Sequence, residues 1–257
     1  MLGRTLTFLY GVVCYLIFFG TFLYLVGFVA DLPQIKGIDA GAETGFGAAL
    51  TVDVVLISLF GLQHSIMARP GFKAVWTRFV PKPIERSTYV LAASLVLMLL
   101  FWQWRPMPTA IWQAEAGWLV ALLWGLFLVG VLLVLASTFV INHFDLFGLR
   151  QVFLEFKAKP YQDLPFRVTW FYRFVRHPLY LGFLLAFWAT PRMSQGHLLF
   201  SIGFTIYILV AIEFEERDLR AGLGERYEAY CARVPKLIPR PGKVHETIRP
   251  DSSQTVG

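Results

Sequence analysis

The chain has 257 residues, of which 56% are hydrophobic and only 16% charged, and it carries a net charge of +6. A soluble domain of this length holds about a quarter charged residues, and several apolar runs here are long enough to cross a bilayer, so a soluble globular domain is excluded. The 23 Lys and Arg residues are spread over several loops without an aromatic-interleaved basic stripe, which argues against nucleic acid as a partner.

The first apolar run, residues 6–29, follows a single Arg4. It is too long for a secretory signal, and Phe28 stands where a small residue would be needed before a cleavage at Ala30. It therefore reads as an uncleaved span. Further spans are expected at about 46–66, 87–104 and 117–141. Two shorter runs follow at 179–190 and 198–213, joined by PRMSQGH. Twelve helical residues reach only about 18 Å, short of a hydrocarbon core of about 30 Å. The fifth run must borrow upstream residues or sit with the sixth as a partly buried hairpin.

The basic residues orient these spans. Twenty of the 23 fall before the first run, in 67–86, in 142–178 or from 217 onward, whereas the alternate loops hold only Lys36, Arg105 and Arg192. By the positive-inside rule both termini are expected in the cytoplasm. Trp102, Trp104, Trp112 and Trp118 flank the external connection between the third and fourth spans, as an interfacial belt would. From about 215 onward, Leu219, Leu223, Tyr227 and Tyr230 recur at helical spacing and predict a cytoplasmic amphipathic helix. Gly222 and Gly224 mark a break in it, and the final PDSSQTVG is too polar to pack. The expectation is an all-α polytopic membrane helix bundle of five to six transmembrane helices, the last two a short hairpin. Its divisions are an N-terminal membrane region (1–141), a second region (142–240) and a polar tail (241–257).

Polar groups within membrane segments are costly and point to function. Arg176 and His177 stand directly before an apolar run that opens with Pro178, Tyr180 and Gly182. Proline suits a first helical turn, and the unpaired amides there attract a carboxylate or phosphate. The plain alternative is a pair of interfacial anchors. Glu213, Glu215, Glu216 and Arg217 lie where the sixth run ends, and carboxylates at a helix C-terminus would call for a cation. The plain alternative there is a solvated helix end. His143 and Asp145 end the fourth span and suggest a base with an orienting carboxylate, or a polar helix stop. His64, beside Gln63, ends the second span, with an interface role as its alternative. Asp53 and His197 fall toward the other side, and His245 lies in the tail. The two cysteines, Cys14 and Cys231, form no CxxC or zinc spacing, so neither a disulfide framework nor a metal is expected. By the charge count His64, His143, Arg176, His177 and Glu215–Arg217 share the cytoplasmic boundary. A pocket there would suit a ligand bearing both signs.

RHPLYLG, then EER, then GERYEAYCARVP resembles the C-terminal signature of the isoprenylcysteine carboxyl methyltransferase-like membrane proteins, over roughly residues 140–240. The longer N-terminal half, HFDLFGLRQVFL and YLGFLLAFWATPRMSQGHLLF resemble the bacterial methanethiol S-methyltransferases, and NnrU-like proteins share much of the pattern. This resemblance implies a cytosol-facing pocket for S-adenosylmethionine and conversion of methanethiol to dimethyl sulfide in a bacterial inner membrane. It implies His177 and Tyr180 near the methionine end of the cofactor, and Glu215 and Glu216 on ribose hydroxyls or amino groups. Arg217 would orient those carboxylates. For the thiol proton, His143 oriented by Asp145 ranks first, then His64, then Tyr180. GIDAGAETGFG at 37–47 breaks the GxGxxG spacing of a Rossmann loop. A lipid or isoprenylcysteine-type acceptor, a sterol-type reductase using nicotinamide, and a non-enzymatic transport or assembly protein remain the alternatives. Transporters place their polar residues near the midplane, whereas these gather on one side.

Overall fold

A computed structural model describes residues 1–239; Arg240 onward, including the expected polar tail and His245, lies outside the described residues. The fold is built from α1 (Leu2–Val29), α2 (Phe46–Ala68), α3 (Pro70–Trp76), α4 (Lys82–Gln103), α5 (Gly117–Ile141), α6 (His143–Leu146), α7 (Leu149–Phe156), α8 (Pro178–Trp188), α9 (Gln195–Leu223) and α10 (Glu225–Arg233). Two short strands, β1 (Ala110–Gln113) and β2 (Arg192–Ser194), pair antiparallel. Five helices, α1, α2, α4, α5 and α9, are long and apolar enough to cross a membrane, and this is a multi-pass membrane protein. Arg4, Arg69, Arg86, Arg150 and Arg176 mark one end of the bundle, called here the basic end; the β1–β2 pair closes the other.

Helix starts follow local chemistry. Prolines occupy the first turns of α3, α4 and α8, where a missing N–H costs nothing. Ser194 caps α9 by accepting from the His197 amide at 3.0 Å. As the run length implied, α8 is short, at 11 residues. It takes no residues from upstream, because His177 is its cap. The carbonyl of Phe187 near its far end accepts from His197 Nε2 at 2.9 Å and from Ser201 Oγ at 2.8 Å. A helix can stop below the membrane surface only when such carbonyls find partners inside the protein. This gives His197 a structural task.

Two findings differ from the sequence expectations. The sixth apolar run belongs to a 29-residue helix that continues through Glu213–Arg217 to Leu223 and breaks only at Gly224 (φ 53°). The carboxylates therefore stand within a helix, where backbone hydrogen bonds continue, and the macrodipole of a C-terminus gives no reason for a cation. Trp104 is not in an interfacial belt. It is 1% exposed and donates from Nε1 to Ile38 O at 3.0 Å, while Trp102 and Trp118 are exposed. Its burial follows from a polar knot at that end. Lys36 Nζ caps the carbonyls of Trp102 and Trp104 at 2.8 and 3.0 Å, and buried Asp53 accepts from the Arg105 amide at 2.9 Å.

An aromatic core of Phe28, Phe60, Phe101, Phe187, Phe200 and Phe204 fills the centre. Around it, glycines admit neighbouring helices. Gly182 of α8 meets Gly130 of α5 so closely that a Cβ on Gly182 would lie 2.7 Å from Gly130 O and 2.8 Å from Val134 N. Gly182 thus serves contact with a neighbouring helix, and a ligand finds no room at that position. Gly182→Val is expected to destabilise by about 1–3 kcal/mol, as overpacking against unyielding backbone does. Thermal unfolding in detergent reads this, with Gly20→Val, which meets nothing within 4 Å, as the unchanged control.

Candidate active site

At the basic end, α8 starts against the segment that follows α10. The amides of Arg176 and His177 donate to Pro235 O at 2.9 Å and Lys236 O at 3.2 Å. The Arg176 side chain, 9% exposed, extends this junction. Its Nε and Nη2 both lie 2.8 Å from Glu216 Oε1, and Nη1 donates to Val234 O at 2.6 Å and Cys231 O at 3.2 Å. One guanidinium thus caps the last carbonyls of α10 and pairs with α9. Tyr230 OH adds a bond to Tyr172 O at 2.7 Å, and burial raises the phenol pKa values of both tyrosines.

The adjacent carboxylates of α9 have separate tasks, because successive helical residues point about 100° apart. Glu216 is 0% exposed. Besides Arg176, it receives His177 Nε2 at 2.9 Å and Arg220 Nη2 at 3.1 Å, with Lys236 Nζ at 3.9 Å. Its oxygens are committed to the fold. The Glu215 side chain is 45% exposed and, among the described residues, accepts only Tyr180 OH, at 3.0 Å, with His177 Nδ1 at 4.0 Å. Tyr89, Tyr172, Tyr180 and Tyr207 all lie within its electrostatic reach. Glu215 is therefore the open carboxylate of the pair, held by Tyr180 of α8. Glu213 pairs with Lys236.

His64, at the end of α2, joins this aromatic wall. Its ring stacks on Phe60 at 5.3 Å and meets Tyr207 edge-on at 6.1 Å, and its Nε2 is 2.6 Å from Tyr89 OH. Among the described residues its Nδ1 is buried without a partner.

The expected His143–Asp145 pair is not formed. Residues two apart on a helix do not face one another, and α6 begins at His143. His143 Nε2 bonds Tyr15 OH and Nδ1 bonds Thr138 Oγ1, both at 2.8 Å, with Phe139 stacked at 4.2 Å. Burial pushes this imidazole below the ordinary histidine range. Asp145 instead pairs with Arg150 at 2.8 Å and accepts from Tyr161 at 3.4 Å. Arg217 does not reach the carboxylates either; its guanidinium lies 5.1 Å over the Phe214 ring. Arg220 holds that place, which its four-residue spacing from Glu216 could have revealed. Tyr89, Tyr172 and Tyr207 also escaped the sequence reading, since nothing local sets them apart from other aromatics of a membrane bundle. Pro178 is buried at the first turn of α8. Among the described residues, no three His, Cys, Asp or Glu side chains are grouped to hold a metal.

Fold and site together define a polytopic membrane protein with a cationic clamp and an open carboxylate at the basic end of its bundle. The NnrU protein family model matches residues 54–238. The chain is 53% identical over 238 residues to the methanethiol S-methyltransferase of Mycobacterium tuberculosis, covering 93% of this chain and 98% of that one. It is 52% identical over 242 residues to the enzyme of the same name from Crocosphaera subtropica, covering 94% and 95%. Nurim of Mus musculus is 29% identical over 227 residues, covering 80% and 86%. The chain belongs to the NnrU family and to the family of these methanethiol S-methyltransferases. No solved structure matches it.

Proposed function

We propose that the protein transfers a methyl group from S-adenosylmethionine to methanethiol, forming dimethyl sulfide at the cytoplasmic face of a bacterial inner membrane. The observation that carries this reading is the open Glu215–Tyr180 pair beside the clamped start of α8. The names of relatives at about 52% identity supply the acceptor. The twenty basic residues at one set of loops support the sidedness.

The residues present fit a ligand of both signs. By helix geometry the amides of Leu179 and Tyr180 have no partner within α8, so they can receive a carboxylate with His177 beside them. Glu215 has acceptor capacity left for a ribose hydroxyl or an ammonium group, and the surrounding tyrosines offer flat faces to a base. Arg176, Glu216 and Arg220 hold these groups in place without needing the ligand. S-adenosylmethionine, when bound, supplies a sulfonium methyl. The protein's contribution is alignment of acceptor and methyl, worth about 7–11 kcal/mol at its best, and exclusion of water. In this division of labour, residues 142–240 hold the donor and the membrane region 1–141 serves the acceptor side.

Detergent-purified protein supplied with S-adenosylmethionine and methanethiol is expected to release dimethyl sulfide, read by gas chromatography. A yield no greater than that of Glu215→Ala would remove the reading. Product from an isoprenylated thiol carboxylate and none from methanethiol would replace its acceptor.

A further inference from the structure

A small thiol is a poor nucleophile until it loses its proton, and an unperturbed cysteine-like thiol ionises only at about pH 8.5. Methyl transfer to it near neutral pH therefore gains from a base. The structure holds four histidines among its described residues, and their ring nitrogens are not equally free. His143 has both nitrogens bonded. His177 is bound to Glu216 and sits against Glu215. His197 donates to Phe187 O at the far end of the bundle. His64 has one nitrogen, Nδ1, that is buried and finds no partner among the described residues.

The contacts around His64 also bear on its tautomer. Tyr89 OH carries one hydrogen, and it lies 3.4 Å from the backbone carbonyl of His64, which can only accept. Directed there, it leaves the phenol oxygen to accept from Nε2–H across the 2.6 Å contact; directed to Nε2 instead, it would put the imidazole proton on Nδ1. A neutral imidazole with its proton on Nε2 carries a lone pair on Nδ1, the unpaired atom. The same accounting gives His143 the opposite result. Thr138 Oγ1 donates to Leu135 O at 2.7 Å, so it accepts from His143 Nδ1–H, and Tyr15 OH then donates to Nε2. That ring has no lone pair to spare.

We infer that His64 takes the proton of the acceptor thiol through Nδ1, with Tyr89 as the residue that positions its ring and tautomer. This rests on the methyl-transfer reading above. The S–H bond breaks, its proton passes to Nδ1, and its electron pair remains on sulfur. That pair forms the new S–CH3 bond as the bond from methyl to the donor sulfonium breaks, leaving its electrons on the donor sulfur. Positive charge thereby moves from sulfonium to imidazolium, and the total in the pocket is unchanged. The groups that face His64 are Tyr89 and Arg86 from α4 and Tyr207 from α9, with Arg69, Glu85 and Glu215 around Tyr89. Phe60 covers one ring face. The nearest charge on this wall is the Arg86 guanidinium, so the proton taken from the thiol must pass on from Nδ1 after each turnover.

The test has two parts. In full-length protein labelled with 15N-histidine and held in detergent without cofactor, the His64 resonance, assigned by its absence in His64→Gln, should show the Nε2–H tautomer at neutral pH. An Nδ1–H tautomer overturns the assignment. In kinetics, His64→Gln should lower kcat/KM for methanethiol about 100-fold at pH 7, the lower range for loss of a general base, and recover as rising pH ionises the thiol. Tyr89→Phe should lose about tenfold with a displaced acid limb. S-adenosylhomocysteine should bind both variants as it binds wild type. A pH-independent loss, or a loss of S-adenosylhomocysteine binding that matches the loss of rate, overturns the role. Absence of product from wild type would instead defeat the methyl-transfer reading, with the tautomer measurement still deciding the geometry of His64.

Discussion

Glu215→Gln is expected to weaken S-adenosylhomocysteine binding by about 10- to 150-fold while leaving the protein folded. The size follows from the loss of a hydrogen bond to a charged group, about 1.5–3 kcal/mol, with about 1.4 kcal/mol per tenfold in affinity. The fold is spared because Glu215 is half exposed and its one hydrogen bond among the described residues is to Tyr180. Glutamine keeps the size and one acceptor oxygen but loses the charge that an ammonium or a pair of hydroxyls would engage. Tyr180→Phe should cost less, about 0.5–1.5 kcal/mol for a neutral bond, since the carboxylate remains. Calorimetric titration of purified protein measures both. Binding by Glu215→Gln equal to wild type would show that the open carboxylate does not meet the ligand.

Glu216→Ala is expected to act on stability first, by about 3–5 kcal/mol, the range for breaking a buried charge pair from one side. The reason lies in what it leaves behind. Arg176 is nearly buried and His177 is 4% exposed, and both would lose the oxygen they share. Arg176 also caps Cys231 O and Val234 O, so a displaced guanidinium would release the end of α10. Thermal unfolding in detergent should therefore show a lowered midpoint, and limited proteolysis should show earlier cleavage around α10. Glu215→Gln should show neither. A Glu216→Ala protein that melts like wild type yet fails to bind S-adenosylhomocysteine would transfer Glu216 to the ligand-contacting group.

These contrasting outcomes for neighbouring glutamates show where sequence reading reached its limit. Four of the five long spans were legible because length and hydropathy are local properties, and Pro178 announced the start of α8 through its missing N–H. The extent of α9 was less so. Its apolar run stops near Glu213, but helical hydrogen bonding continues to Leu223 because charged residues with helical preferences follow without a breaker. The roles of Glu215 and Glu216 depend on Arg176, forty positions away from the latter, and on the carbonyls of α10. No pattern within EER distinguishes them. Trp104 looked like an interfacial residue because its neighbours are, and only the meeting of Lys36, Ile38 and Asp53 with the end of α4 buries it. His143 and Asp145 looked like a pair because they are near in sequence, yet helix geometry separates them. His64 drew notice as a polar residue at a span's end, but its unpaired nitrogen depends on Tyr89, a partner from another helix.

The backbone bonds from Arg176 and His177 to Pro235 and Lys236 also bear on the order in which the protein is made. Every spanning helix precedes residue 224, so all of them leave the ribosome before the segment that fastens α8. Until residues 231–236 emerge, Arg176 lacks the carbonyls of Cys231 and Val234, and Glu216 lacks the nearby lysine. The membrane scaffold is thus made first and the clamp at its polar end last, so a nascent chain that lacks residues 231–236 still has an unfinished site.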